Sequence, residues 1–118
     1  MTNTIVASQT HGVTSVANTA LTTTLESTLW SGNGQDWNGT NVVNTRNYTG
    51  DPAFVNPAAS DYHIGPSSAA IDRGVNAGVR LDIDDEPRFG VPDLGADEYW
   101  SPGLLRHIYL PLVLPDPE

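Results

Sequence analysis

Apolar and polar residues alternate with a period of two through the first third of the chain. Ile5-Val6-Ala7 and Val13 to Val16 are short apolar runs set between polar turns, and a longer alternation passes through Leu21, Thr23, Leu25, Ser27 and Leu29. The even positions of that run, Thr22, Thr24, Glu26, Thr28 and Trp30, are mostly polar, as expected of a strand buried on one side. Leu21, Leu25 and Leu29 also fit a helical stripe. Consecutive Thr residues, stiff at χ1, decide for a strand. Val42-Val43 and Phe54-Val55 predict further short strands, whereas the Asn- and Gly-rich segment from Ser31 to Gly39 reads as a loop.

Thr4-Ile5-Val6-Ala7-Ser8-Gln9 recurs in pattern as Thr28-Leu29-Trp30-Ser31-Gly32-Asn33. A repeat in the twenties suits one coil of a parallel solenoid, whose apolar face is buried only by coils stacked beside it. A chain that begins within the pattern is expected to have further coils upstream of Met1. From Asp61 onward Pro and Gly interrupt every few residues, and only Ala69 to Ile71 and Val79 to Ile83 look ordered. The expected organisation is terminal coils over 1–56, a loop-rich cap over 57–100 and an extended tail over 101–118. The tail holds the most apolar stretch, Ile108 to Pro115, and its prolines exclude both a helix and a central strand.

Composition sharpens this picture. The 118 residues include no Lys and no Cys, only five basic residues against 14 acids, and carry a net charge of -9. Nucleic acid is excluded as a partner, since phosphate binding needs clustered Lys or Arg and the arginines are scattered. Disulfides, thiolate metal sites and Cys nucleophiles are excluded together. No apolar run approaches the length of a transmembrane span, and no signal peptide is visible.

Asp51-Pro52-Ala53-Phe54-Val55-Asn56-Pro57, then Asp61 to Gly74, then Asp82-Ile83-Asp84-Asp85-Glu86-Pro87-Arg88, and finally Asp93-Leu94-Gly95-Ala96-Asp97-Glu98-Tyr99 together resemble the C-terminal module of bacterial right-handed parallel β-helix repeat proteins. These are pectate-lyase-like surface proteins of the choice-of-anchor or polymorphic outer-membrane-protein-like kind. The resemblance implies an all-β chain made of the last coils of a parallel β-helix, a loop-rich cap and an extended tail, in a secreted or cell-surface protein. It implies no activity. Asp85 stands where the pattern leads one to expect Gly. Tyr109 to Leu114 resembles a recurrent tail of exported bacterial proteins.

Asp82, Asp84, Asp85 and Glu86 are the best chemical candidates, as closely packed hard oxygen ligands for Ca²⁺. Asp82, Asp84, Glu86 and Asp93 even fit an EF-hand count, but Pro87 occupies the position that requires Gly, so that motif is rejected. The alternative is a solvated acidic turn paired with Arg73, Arg80 or Arg88. As a glycosidase pair the same acids have the i, i+2 spacing of carboxylates on one strand face but lack an aromatic platform nearby. A lyase would need a base, and the chain has no Lys. His11, His63 and His107 are too widely spaced for a metal motif and read as surface or turn residues. Trp37, Tyr48 and Tyr62, with Trp30, are candidates for stacking on sugar rings, against the alternative of packing at the end of the solenoid. No catalytic set emerges. The expected function is a structural or interaction module that caps an extracellular β-helix, its partners the upstream coils or a second copy. The alternative is a carbohydrate-binding or carbohydrate-active fragment, Ca²⁺-stabilised, with a polysaccharide partner.

Overall fold

The computed structural model describes residues 1–16 and 20–101, and the apolar stretch expected from Ile108 to Pro115 lies outside them. The described chain is all-β apart from one 3₁₀ turn, Pro57–Ala59. Its strands are β1 (Thr2–Ala7), β2 (His11–Ser15), β3 (Thr23–Ser31), β4 (Gln35–Gly39), β5 (Val42–Thr49), β6 (Phe54–Asn56) and β7 (Asp61–Ile64). A parallel sheet runs in the order β1-β3-β5, a second parallel pair joins β2 to β4, and β6 pairs antiparallel with β7. No helix among the described residues is long and apolar enough to cross a membrane.

The repeat read from the sequence is the register of the first sheet. Thr4 lies beside Thr28, Ile5 beside Leu29, Val6 beside Trp30 and Ala7 beside Ser31. His11 beside Gln35 and Val13 beside Trp37 keep the same 24-residue step in the second pair, and β3 to β5 advances by 19 residues, with Leu29 beside Tyr48. Each strand of the first sheet bends at a left-handed residue, Asn3 (φ 51), Ser27 (φ 53) and Arg46 (φ 53), and these bends fall at corresponding positions along the three strands.

The segment from Ser31 to Gly39 departs from its expected loop. Its first part turns through Gly32 (φ 61), but Gln35–Gly39 is a strand. The turn is held by Asn33, whose amide donates to the Val6 carbonyl and the Asp36 carboxylate while its side-chain oxygen accepts from the Gln9 amide. This anchorage delivers Gln35 to its pairing with His11. A Cβ on Gly12 would strike the Asp36 carbonyl and crowd Trp30 and Val6, so Gly at this position lets the second sheet close over the first.

Trp30 is buried on that side, and its indole N–H donates to Asn47 Oδ1 at 3.0 Å. Leu29 is buried on the other side, against Ile64, Ala70 and Leu94. Covered on both sides, β3 loses the one-face burial expected of it: Leu25, Ser27, Thr28, Leu29 and Trp30 are all buried, while Leu21, counted in the alternation, is exposed and precedes the strand. The Thr28 hydroxyl is buried without a hydrogen-bond partner. Because an unpaired buried hydroxyl costs free energy, Thr28→Val is expected to raise stability by about 1 kcal/mol, read as a shift of the urea midpoint at unchanged slope.

The parallel pairing ends at Thr49. Beyond it the chain runs back along one face of the first sheet, packing Ile64, Ala70 and Leu94 with Ile5, Leu29 and Tyr48, one residue from each strand. Its polar contacts reach β1 as well: Val75 exchanges two hydrogen bonds with the Asn3 side chain, and the Gly95 amide donates to the Asn3 carbonyl. Gly95 has φ 88 and its Cα lies against Ile5, a place with no room for a Cβ. These contacts brace the side of the strand stack.

Candidate functional site

Residues 65–101 contain no regular strand or helix, which leaves many backbone N–H groups without ladder partners. Buried acids take their place. Asp82, Asp93, Asp97 and Glu98 are each less than a tenth exposed. Asp82 accepts from the Asp84 and Glu86 amides with one oxygen and from the Glu98 amide with the other. Asp93 bridges the Asp72 and Tyr99 amides, both at 2.7 Å. Asp97 accepts from the Ile64 amide at 2.8 Å, and Glu98 from the Asp93 and Phe89 amides. Carboxylates accept such bonds more strongly than carbonyls do, so four side chains hold together a segment that has little apolar core of its own.

Arg88 anchors this network. It donates to Glu98 Oε2 at 3.1 Å and to the carbonyls of Asp93, Gly95 and Ala96, in a site where both side chains are nearly buried. Its pairing is therefore with Glu98, ten residues on, and not with the acidic run beside it. Arg73 instead lies over the Tyr48 ring, 4.9 Å from its centroid. Burial pushes the carboxyls of Asp93, Asp97 and Glu98 above their ordinary range, against the lowering effect of the amides that bond them.

The four acids expected to bind Ca²⁺ part company. Carboxylate oxygens of Asp82, Asp84 and Glu86 converge, whereas Asp85 does not join them. Asp85 has φ 61, the left-handed conformation that Gly adopts without strain, which accounts for Gly being the residue expected there. Both Asp82 oxygens are engaged by the main chain. Burial, followed by the charges of Asp82 and Asp84, pushes Glu86 up.

The residue missed in the sequence is His63. On β7 it sits between two carboxylates, with Nδ1 2.5 Å from Asp61 and Nε2 2.7 Å from Asp84. The first partner is a sequence neighbour two residues away; the second is 21 residues on and is brought there by the fold. Its hydrogen bonds to Asp84 and then Asp61 raise the imidazole from 6.5 to about 9, while Asp61 is held below its ordinary value by the same contact. A raised histidine contributes stability that is complete below pH 6.5 and is lost as the pH rises through about 9. Thermal unfolding in the presence of chelator, followed from pH 6 upward (roughly the unfolded histidine range), is therefore expected to show a parent protein whose advantage over His63→Gln shrinks as the solution turns alkaline.

The three aromatic residues considered for sugar stacking lie on three different strands, β4, β5 and β7. Trp37 is partly exposed on β4, opposite Val13. Tyr48 packs on the core cluster and has Arg73 over its ring. Tyr62 is exposed on β7 and meets Phe54 edge-on at 5.2 Å, at the margin of a groove formed with Ala7, Gln9 and Pro57. Tyr48 is thus partly buried by its packing, and Tyr62 has one ring contact.

Comparison of the chain with protein-family models, with curated proteins and with solved structures gives no match.

Proposed function

We propose that this chain is a structural and interaction module of an exported right-handed parallel β-helix, in which the strand stack forms its last coils and the acid-bonded segment stiffens one side. The 24-residue register shared by both parallel sheets is the observation that carries this reading. The left-handed bends at Asn3, Ser27 and Arg46 add to it, since stacked coils repeat their corners. Export rests on the resemblance of residues 51–99 to surface β-helix proteins.

In the first sheet β1 and β5 are the outer strands, and edge strands are templates for further pairing. The partner is a further coil, in the same polypeptide or in another copy. Sedimentation of the chain over a range of concentrations is expected to show association that Thr45→Lys, a charge on the exposed β5 edge, weakens. A monomer at every concentration, unaltered by this substitution, counts against an interaction role. Saturable polygalacturonate binding that is lost in Trp37→Ala would favour the carbohydrate reading instead.

A further inference from the structure

We propose that His63, Asp84 and Asp97 form a binding site for one divalent transition-metal ion of the zinc class. A ring nitrogen of His63 and one carboxylate oxygen from each aspartate lie within 4.8 Å of one another. The three side chains come from separate parts of the chain: β7, the turn that follows Asp82, and the segment between Asp93 and Glu98. The fold, not a local acidic run, assembles them.

The surroundings suit a metal. Asp61 holds His63 Nδ1, which directs Nε2 toward Asp84, and a carboxylate on the far nitrogen is the usual orienting partner of a metal-bound imidazole. Asp97 is buried and fixed by the Ile64 amide, so one ligand is rigid, whereas His63 and Asp84 are about two-fifths exposed and leave room for water at an open position. Asp82 adds its charge beside Asp97, and Glu86 stands close to Asp82 and Asp84. These carboxylates surround a single imidazole, and Arg88 is engaged with Glu98. A dication offsets that excess of negative charge.

The donor set decides the class of ion. One nitrogen and two carboxylates match zinc and its neighbours, whereas Ca²⁺ takes six or more oxygens. An ion about 2 Å from each ligand requires His63 Nε2 and Asp84 Oδ2 to stand about 3.3 Å apart. They are now 2.7 Å apart, and a small rotation of the exposed Asp84 provides the difference.

Co²⁺ absorption and Zn²⁺ titration calorimetry on the full chain test the site. The expected result is one ion per chain, with Co²⁺ displaced by Zn²⁺ and not by Ca²⁺ at equal concentration. His63→Gln is expected to weaken binding at least about tenfold, and Asp61→Asn by about tenfold through loss of orientation. Asp85→Asn should leave binding unchanged. Circular dichroism checks each variant, and Asp84→Asn, at an exposed position, replaces His63→Gln if that variant does not fold. No saturable binding by the parent chain overturns the proposal. So does binding unchanged in His63→Gln and Asp84→Asn, or equal displacement by Ca²⁺.

Discussion

Replacing Arg88 with Ala is expected to lower the unfolding free energy by about 3–5 kcal/mol. The guanidinium and the Glu98 carboxylate are 11% and 4% exposed, so neither is well compensated by water when its partner is removed. Truncation strands Glu98 beside the buried Asp93 and also removes donors from the carbonyls of Asp93, Gly95 and Ala96. Arg88→Lys keeps the charge but not the planar fork that reaches four acceptors, and should recover only a minor part of the loss. Urea unfolding followed by tryptophan fluorescence reports the change, since Trp100 lies beside Phe89. In the double variant Arg88→Ala with Glu98→Ala the loss should fall well short of the sum of the two single losses. A loss below about 1 kcal/mol for Arg88→Ala would mean that the network is exposed enough for water to replace it.

Leu29→Ala is expected to cost about 2–5 kcal/mol through the cavity it leaves. Leu29 is fully buried at the centre of the β1-β3-β5 sheet, and its side chain is the one around which Ile64, Ala70 and Leu94 of the returning segment gather. The substitution thus loosens both layers together, and a single cooperative transition with a lowered midpoint is the expected result. Leu21→Ala is the control. Leu21 is 68% exposed outside the strand, and its loss should change stability by no more than about 0.5 kcal/mol.

Stacking of β1 on β3 was legible because the residues that pair, Thr4 to Ala7 with Thr28 to Ser31, resemble one another in sequence. β4 was not, since Asn and Gly dominate its neighbourhood and its strand conformation comes from pairing with β2, a contact no local propensity reports. The acidic cluster was visible as a cluster, but its role was not. Asp82 reads as a solvated residue or an ion ligand until the amides of Asp84, Glu86 and Glu98 are seen to converge on it. His63 was set aside for lack of a motif, because the spacing that matters is to Asp84 through space. Of Arg73, Arg80 and Arg88, the alternative partners expected for the acidic run, the fold sends Arg73 to an aromatic ring and Arg88 to Glu98. Asp85 stands out in the sequence as an Asp where Gly is expected, and its left-handed φ supplies the reason.

The buried carboxylates bond to main-chain amides, which every amino acid except proline possesses. As far as these bonds are concerned, Ile64, Asp72, Phe89 and Tyr99 are interchangeable with almost any residue, while Asp82, Asp93, Asp97 and Glu98 are not. A saturation library across this segment should therefore tolerate wide change, proline excepted, at the exposed donors Asp72 and Phe89, and lose stability with nearly every substitution of the four acids.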